Sequence, residues 1–454
     1  MSTSANSRDR RLKEIVREAL GMRDDVRLAR LTGGASRETF LVGTGATESE
    51  RRYVLRIADS ASVGSVSLDL ESRALASART AGVPVPGVHT VGTDDTVGGA
   101  YILMDHVPGE TIARRILRDP EFAPARAGLA YSLGDALARI HTMDMTTPEL
   151  TPAEEDPLPG LLKAGGRDDP PESGLALGIR WLRDHRPEPG PTCVVHGDFR
   201  LGNLIIDANG LRSVLDWELV HCGDPVEDLG WFCAKVWRFG SPLPAGGVGT
   251  REELLDGYAA VAGWRPSREQ LRWWELYATI RWGLMCGVQA DRHLSGVDPS
   301  VELVAIGRRS AEQEFDVLLA LDLETPRIVP DILDSEPSVP VGPYGRPGID
   351  DLVGGILLHL QGDVMPLGGR VGFNARVAAN VTRTVLRELR LGTEHRRRHQ
   401  ERLSTLRLID EADLSAAILS GTLDHRWDDV VAAVRSAVRD RLSVANPDHF
   451  ARPA

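Results

Sequence analysis

The chain has 454 residues, room for two to four domains at roughly 100–200 residues each. Its 42% hydrophobic and 26% charged content is that of a folded globular protein, and a formal net charge of −12 leaves no basic footprint for nucleic acid. No apolar run approaches the roughly 18 residues of a membrane span, Met1–Arg11 is too polar for a signal peptide, and Cys193, Cys222, Cys233 and Cys286 have neither disulfide nor zinc spacing, so a cytoplasmic multi-domain protein is expected.

Leu12, Ile15, Val16 and Leu20 mark one face of an opening helix over about Asp9–Leu20, stopped by Gly21. Short β-like runs follow at Val26–Leu31, Thr39–Val42, Tyr53–Ile57 and Tyr101–Met104, interrupted by a helix over about Ser67–Thr80. Residues 1–107 thus read as a small antiparallel sheet with one packed helix. From 108 to 325 helices predominate, notably Tyr131–His141 and the Trp-rich Leu271–Val288, around a strand-rich island at Cys193–Trp217. Six prolines between Pro326 and Pro347 make 326–349 a linker by composition. The tail, 350–454, reads as an all-α domain with one stripe at Phe373, Val377, Val381 and Val385 and another at Trp427, Val430, Val431, Val434 and Val438.

The chemistry concentrates in His196-Gly197-Asp198-Phe199-Arg200-Leu201-Gly202-Asn203 and in Leu215-Asp216-Trp217-Glu218. Two apolar strands joined by Asn209-Gly210 predict a hairpin closed by a type I′ turn. That turn sets Ala208 opposite Leu211, Ile205 opposite Val214 and Asn203 opposite Asp216. An amide oxygen and a carboxylate then meet at the open end of the hairpin, a donor pair suited to Mg²⁺.

The pattern H-x-D-x-x-x-x-N, with Asp216 following Asn203, resembles the catalytic and metal-binding loops of the protein-kinase-like fold. The His-Gly-Asp form, with Gly223-Asp224-Pro225-Val226-Glu227-Asp228-Leu229-Gly230 downstream, is similar to the aminoglycoside phosphotransferase and choline kinase branch. The resemblance covers residues 25 to 320 and implies a two-lobed α+β fold, small antiparallel β lobe and larger helical lobe, followed by an all-α C-terminal domain. It implies transfer of the γ-phosphoryl group of ATP to a small-molecule hydroxyl. Asp198 would orient that hydroxyl and take its proton, Asn203 would hold one Mg²⁺, and Asp216 would bridge two.

A kinase needs a cation for the α- and β-phosphates, but the chain's three lysines, Lys13, Lys163 and Lys235, all lie outside the sheet. Alternation in Tyr53-Val54-Leu55-Arg56-Ile57 puts Arg56 opposite the apolar face, which makes it the candidate. On the following helix Leu68, Glu71, Leu75 and Ala78 share one stripe, so Glu71 faces inward and needs a partner, which Arg56 would supply. Arg200 stands where protein kinases carry a lysine near the γ-phosphate and is expected to offset charge there. Gly33, Gly34, Ala35 and Ser36, between the first two strands, are expected to offer backbone N–H groups to phosphate. Asp105 and Val107, leaving Tyr101–Met104, would contact adenine through their main chain.

Other residues read as structural. Asp224 and Glu227 fit a capped helix start, His196 a brace of the catalytic loop, and Trp231, Trp237, Trp273, Trp274 and Trp282 core packing. The run Glu394–His399 reads as a solvated, helix-flanking face. The tail, with Gly369–Asn380, resembles an uncharacterised helical domain that follows some bacterial kinases of this type; a cap on the acceptor cleft, a surface for homo-oligomerisation and a reader of a carrier-linked substrate are all open for it. The competing reading is a nucleotide-binding pseudokinase, against which Asp198, Asn203 and Asp216 are all present. A metallophosphoesterase would need further His and Asp ligands. The hydroxyl acceptor is left open.

Overall fold

The computed structural model describes residues 2–31, 37–45, 51–58, 67–144, 150, 152, 156–166, 170–335 and 345–452. Packing gathers the chain into two compact units, one of residues 1–153 and 188–274, the other of 154–187 and 275–454. No helix among the described residues is long and apolar enough to cross a membrane.

In the first unit β1 (Val26–Leu31), β2 (Glu38–Thr44), β3 (Arg51–Ala58), β4 (Val88–Asp94) and β5 (Gly99–Asp105) form one antiparallel sheet in the order β1-β2-β3-β5-β4. The sequence does not announce β4, because His89, Gly92 and Asp94 interrupt its apolar alternation. The opening helix begins earlier than expected, at Ser2. It packs Leu12, Ile15 and Val16 against Val26, Val42, Leu55, Ile57 and Leu103 on one sheet face. Burying each large aliphatic side chain contributes about 1.5–3 kcal/mol. With Leu55 and Ile57 committed to that face, the strand's period of two turns Arg56 to the other. The helix Leu68–Thr80 is capped by Ser67, whose Oγ accepts the Leu70 amide at 3.1 Å, and it buries Leu68, Glu71, Leu75 and Ala78.

The rest of this unit is largely helical around four short strands. β6 (Cys193–Val195) pairs with β9 (His221–Gly223), and β7 (Leu204–Asp207) pairs with β8 (Gly210–Val214).

The second unit has its own core. Leu177 of the helix Ser173–Asp184 and Phe315 and Leu318 of the helix Ser310–Ala320 pack with Leu403, Leu406, Leu414, Val430, Val434 and Val438 of the tail. Part of the Pro-rich stretch is pinned to the tail, for Arg387 holds Asp331 through two bonds of 2.6 and 2.9 Å, and the Arg327 amide donates to the Phe450 carbonyl at 2.8 Å. The expected stripe Phe373, Val377, Val381, Val385 is offset. The 38-residue helix Gly369–Leu406 buries Gly372, Ala375, Ala379 and Leu386, while Phe373 and Val385 are exposed. The run Glu394–His399 lies inside that helix rather than flanking one. Arg397 pairs with Glu394 and Glu401 on its solvent side, and Arg398 reaches Asp440 at 3.4 Å.

Candidate active site

The loop after β6 is held from beneath by a carboxylate. Asp228, fully buried near the start of the helix Val226–Cys233, accepts the His196 amide at 2.7 Å, the Gly197 amide at 2.9 Å and His141 Nε2 at 3.2 Å. Burial alone would raise its pKa, but the His141 and His196 contacts hold it below the ordinary carboxylate range. Gly197 sits at φ +82°, and a Cβ there would meet the Leu219 carbonyl oxygen at 2.6 Å, so only glycine fits the loop. His196 ties this loop to the next: Nδ1 accepts the Asp198 amide at 3.2 Å, and Nε2 donates to the Leu215 carbonyl at 3.0 Å. The bracing role read from sequence matches this geometry.

Asp198 has an unusually full set of donors. Its Oδ1 accepts from Trp231 Nε1 at 2.8 Å and Oδ2 from Asn203 Nδ2 at 2.6 Å, while Arg200 Nε lies 3.0 and 3.1 Å from the two oxygens. Asn203 Nδ2 also donates to the Asp198 carbonyl at 2.9 Å, which fixes the amide orientation and turns Oδ1 away from Asp198. The Arg200 guanidinium rests over the Trp237 ring, 4.8 Å from its centroid. Arg200 is therefore held on Asp198 rather than standing apart from it.

The hairpin register differs from the expected one. Leu204 pairs with Val214, Ile205 with Ser213, then, after a shift, Ile206 with Leu211 and Asp207 with Gly210. Asp207 Oδ1 accepts the Asn209 amide at 2.7 Å, an Asx turn that closes the loop over Ala208-Asn209, one residue before the type I′ turn expected at Asn209-Gly210. Asn203 consequently faces Leu215, whose amide donates to its carbonyl at 2.8 Å, and not Asp216. Asp216 is the next residue and turns off in a left-handed conformation, φ 65°, ψ 61°. That turn presents its carboxylate to Arg56.

Arg56 and Glu71 meet, with Nη1 2.7 Å from Oε1, and Arg56 Nη2 lies 2.8 Å from Asp216 Oδ1. Burial opposes the Arg56 charge, yet Glu71 and Asp216 more than offset it and raise its pKa. Glu71, 1% exposed, has a second cation that sequence reasoning missed: Arg37, itself buried, bonds Oε2 and lies 3.5 Å from Glu218. One arginine fork thus links the helix Leu68–Thr80 to the Asp216 loop across 160 residues of sequence.

Gly33, Gly34, Ala35 and Ser36 lie outside the described residues. Asp105 donates its amide to the Gly87 carbonyl at 2.8 Å, so any base contact there falls to its carbonyl; its carboxylate accepts the Gly87 amide at 3.1 Å and lies 2.7 Å from His89 Nε2. Asp224 caps the Val226–Cys233 helix by accepting the Val226 amide at 2.8 Å, and Glu227 lies 3.2 Å from His221. Trp231, Trp237, Trp273 and Trp274 are all buried. Among the described residues no three His, Cys, Asp or Glu side chains form a cation cage. Asn203 and Asp216 would hold a cation only with phosphate or water completing its shell, which is how Mg²⁺ is commonly bound.

Residues 27–274 match the family model described as the phosphotransferase enzyme family, and residues 366–449 match a domain of unknown function, DUF6285. Acyl-CoA dehydrogenase family member 10 of Mus musculus is 29% identical over 244 residues, 48% of this chain and 22% of that protein. Family member 11 of Homo sapiens is 25% identical over 303 residues, 60% of this chain and 37% of that protein. The chain thus spans well under half of these relatives. Viomycin phosphotransferase of Streptomyces vinaceus is 29% identical over 188 residues, 38% of this chain and 57% of that protein. Among solved structures, an assigned aminoglycoside phosphotransferase of Ralstonia eutropha superposes with a TM-score of 0.52 at 22% identity, covering 69% of this chain and 98% of that one, a likeness of fold.

Proposed function

The chain belongs to the phosphotransferase enzyme family, and from that premise we propose that it transfers the γ-phosphoryl group of ATP to a hydroxyl of a small molecule. The observation that carries this reading is the joining of Asp198 to Asn203, with Arg56 held between Glu71 and Asp216 on the neighbouring loop. The acceptor oxygen attacks the γ-phosphorus; the new P–O bond forms as the bridge to the β-phosphate breaks, ADP leaves, and the hydroxyl proton passes to Asp198. Arg56 meets the α- and β-phosphates, the amides of Gly33, Gly34, Ala35 and Ser36 cover them, and the Asp105 carbonyl and Val107 amide address adenine. Mg²⁺ held by Asn203 Oδ1 and Asp216 would supply charge neutralisation at the phosphates. Arg200 serves the γ-phosphate by leaving Asp198 as nucleotide binds.

The acceptor is proposed only by class. The relatives' names bring viomycin and acyl-CoA compounds to the test, the latter offered with a hydroxyl group because the proposed reaction needs one. Homo-oligomerisation through the tail belongs to the same proposal, since Ile349, Leu352 and Ile356 of one helix each keep 55% of their surface exposed. One feature supports the pseudokinase alternative: Arg200 already neutralises the carboxylate that would act as base. Radiolabelled γ-phosphate offered with an acceptor panel decides between them. Transfer to one acceptor class, lowered about 10²–10⁴-fold in Asp198→Asn, is the expected result. Tight ATP binding with no transfer and no hydrolysis would establish the alternative.

A further inference from the structure

The helix Val226–Cys233 approaches the catalytic loop with two residues one turn apart. Asp228 takes the main-chain amides of His196 and Gly197, and Trp231, on the same face, donates its indole N–H to Asp198 Oδ1 at 2.8 Å. Trp231 is 3% exposed, and its ring packs on Trp237 with centroids 5.2 Å apart. Trp237 in turn carries the Arg200 guanidinium on its face, and Arg200 closes the circuit on Asp198. Each contact is of a different kind, so the ring of four side chains fixes both the place and the direction of the carboxylate.

We propose that Trp231 is the positioning residue for Asp198: its indole N–H holds Oδ1, so that the carboxylate keeps its aim when Arg200 departs for phosphate. This rests on the phosphotransferase reading and assigns the Trp cluster, in part, to the reaction rather than to packing alone. The logic is one of donors. Asn203 occupies Oδ2, and Arg200 spans both oxygens from a side chain 27% exposed, at the end of a long stem. When it swings, the indole is the donor at Oδ1, and a buried two-torsion ring cannot follow it. A phenyl ring in its place keeps an aromatic contact with Trp237 but deletes the N–H together with part of the indole's bulk, so the control replacement makes the same cut at another buried Trp.

The test uses the full chain with Mg²⁺-ATP and whichever acceptor of the radiolabel panel takes phosphate, with hydrolysis of ATP as a second readout. Trp231→Phe is expected to lower kcat about tenfold or more, as loss of a hydrogen bond to a charged group should. KM for ATP should stay unchanged, and in an Asp198→Asn background the same replacement should alter the residual rate less than twofold. Trp273→Phe, which removes another buried indole N–H of this unit, serves as control and should lower thermal stability without lowering kcat. A kcat within twofold of wild type in Trp231→Phe, or an equal loss in the Asp198→Asn background, would overturn the proposal. A wild-type protein that neither transfers nor hydrolyses would instead overturn the phosphotransferase reading and this inference with it.

Discussion

In the proposed function Arg56 would do the work of a lysine with a different geometry. A lysine is a point charge that serves one carboxylate well, whereas the guanidinium fork holds Glu71 through Nη1 and Asp216 through Nη2 at once. Arg56→Lys should therefore keep the protein folded but lower kcat/KM for ATP about 10–100-fold, and Arg56→Ala about 10²–10³-fold, measured by steady-state kinetics. Glu71 retains Arg37 in both variants, which limits the stability loss to about 1–3 kcal/mol. Asp228 carries a pH dependence. Its pKa is held down in the folded protein, so its stabilising contribution is full above the unfolded carboxylate value near 4 and is lost as pH falls through the lower folded value. Melting curves between pH 3 and pH 6 should show this acid-side slope in wild type and a flatter one in Asp228→Asn. The Arg56–Glu71 contact could be read from alternation in β3 and from one helical stripe. Arg37 and Asp228 could not, because each meets its partner across tens of residues and no local period marks it.

At the level of elements, the loop after β6 and the hairpin show where local pattern stops being sufficient. The strands β1, β2, β3 and β5 were legible because apolar residues alternate between turn signals. The hairpin strands were legible too, but its register was not. Asn209-Gly210 is a strong turn signal, yet the Asp207 side chain captures the Asn209 amide and closes the loop one residue earlier. The left-handed turn at Asp216 then restores the approach of its carboxylate to the site, which no register rule would foresee. The same loop predicts a sharp intolerance. Gly197→Ala must relieve both φ +82° and a Cβ 2.6 Å from the Leu219 carbonyl oxygen. We expect a loss of about 1–3 kcal/mol by chemical denaturation, with kcat falling further than stability because His196 and Asp198 move with residue 197.

On the scale of the molecule, composition and motif predicted a helical tail, and the structure adds that the tail shares its core. Leu177 and Phe315, both earlier than the Pro-rich stretch, pack with Leu414, Val430 and Val434 beyond it. Such pairings at long sequence separation leave no trace in helical periodicity. Ending the chain after Thr325 should expose that core and give an aggregating or strongly destabilised product, whereas Leu414→Ala in the full chain should cost about 2–5 kcal/mol. The claim on which everything else depends is that the first unit binds Mg²⁺-nucleotide through Asp216. Thermal unfolding of wild type and Asp216→Ala, with ATP in the presence and absence of Mg²⁺, tests it most directly. At 100 times its dissociation constant ATP stabilises by about 2.7 kcal/mol, so wild type should melt several degrees higher with ATP and Mg²⁺, and the mutant should not. No response of the wild-type protein to nucleotide, with or without Mg²⁺, would contradict the phosphotransferase reading.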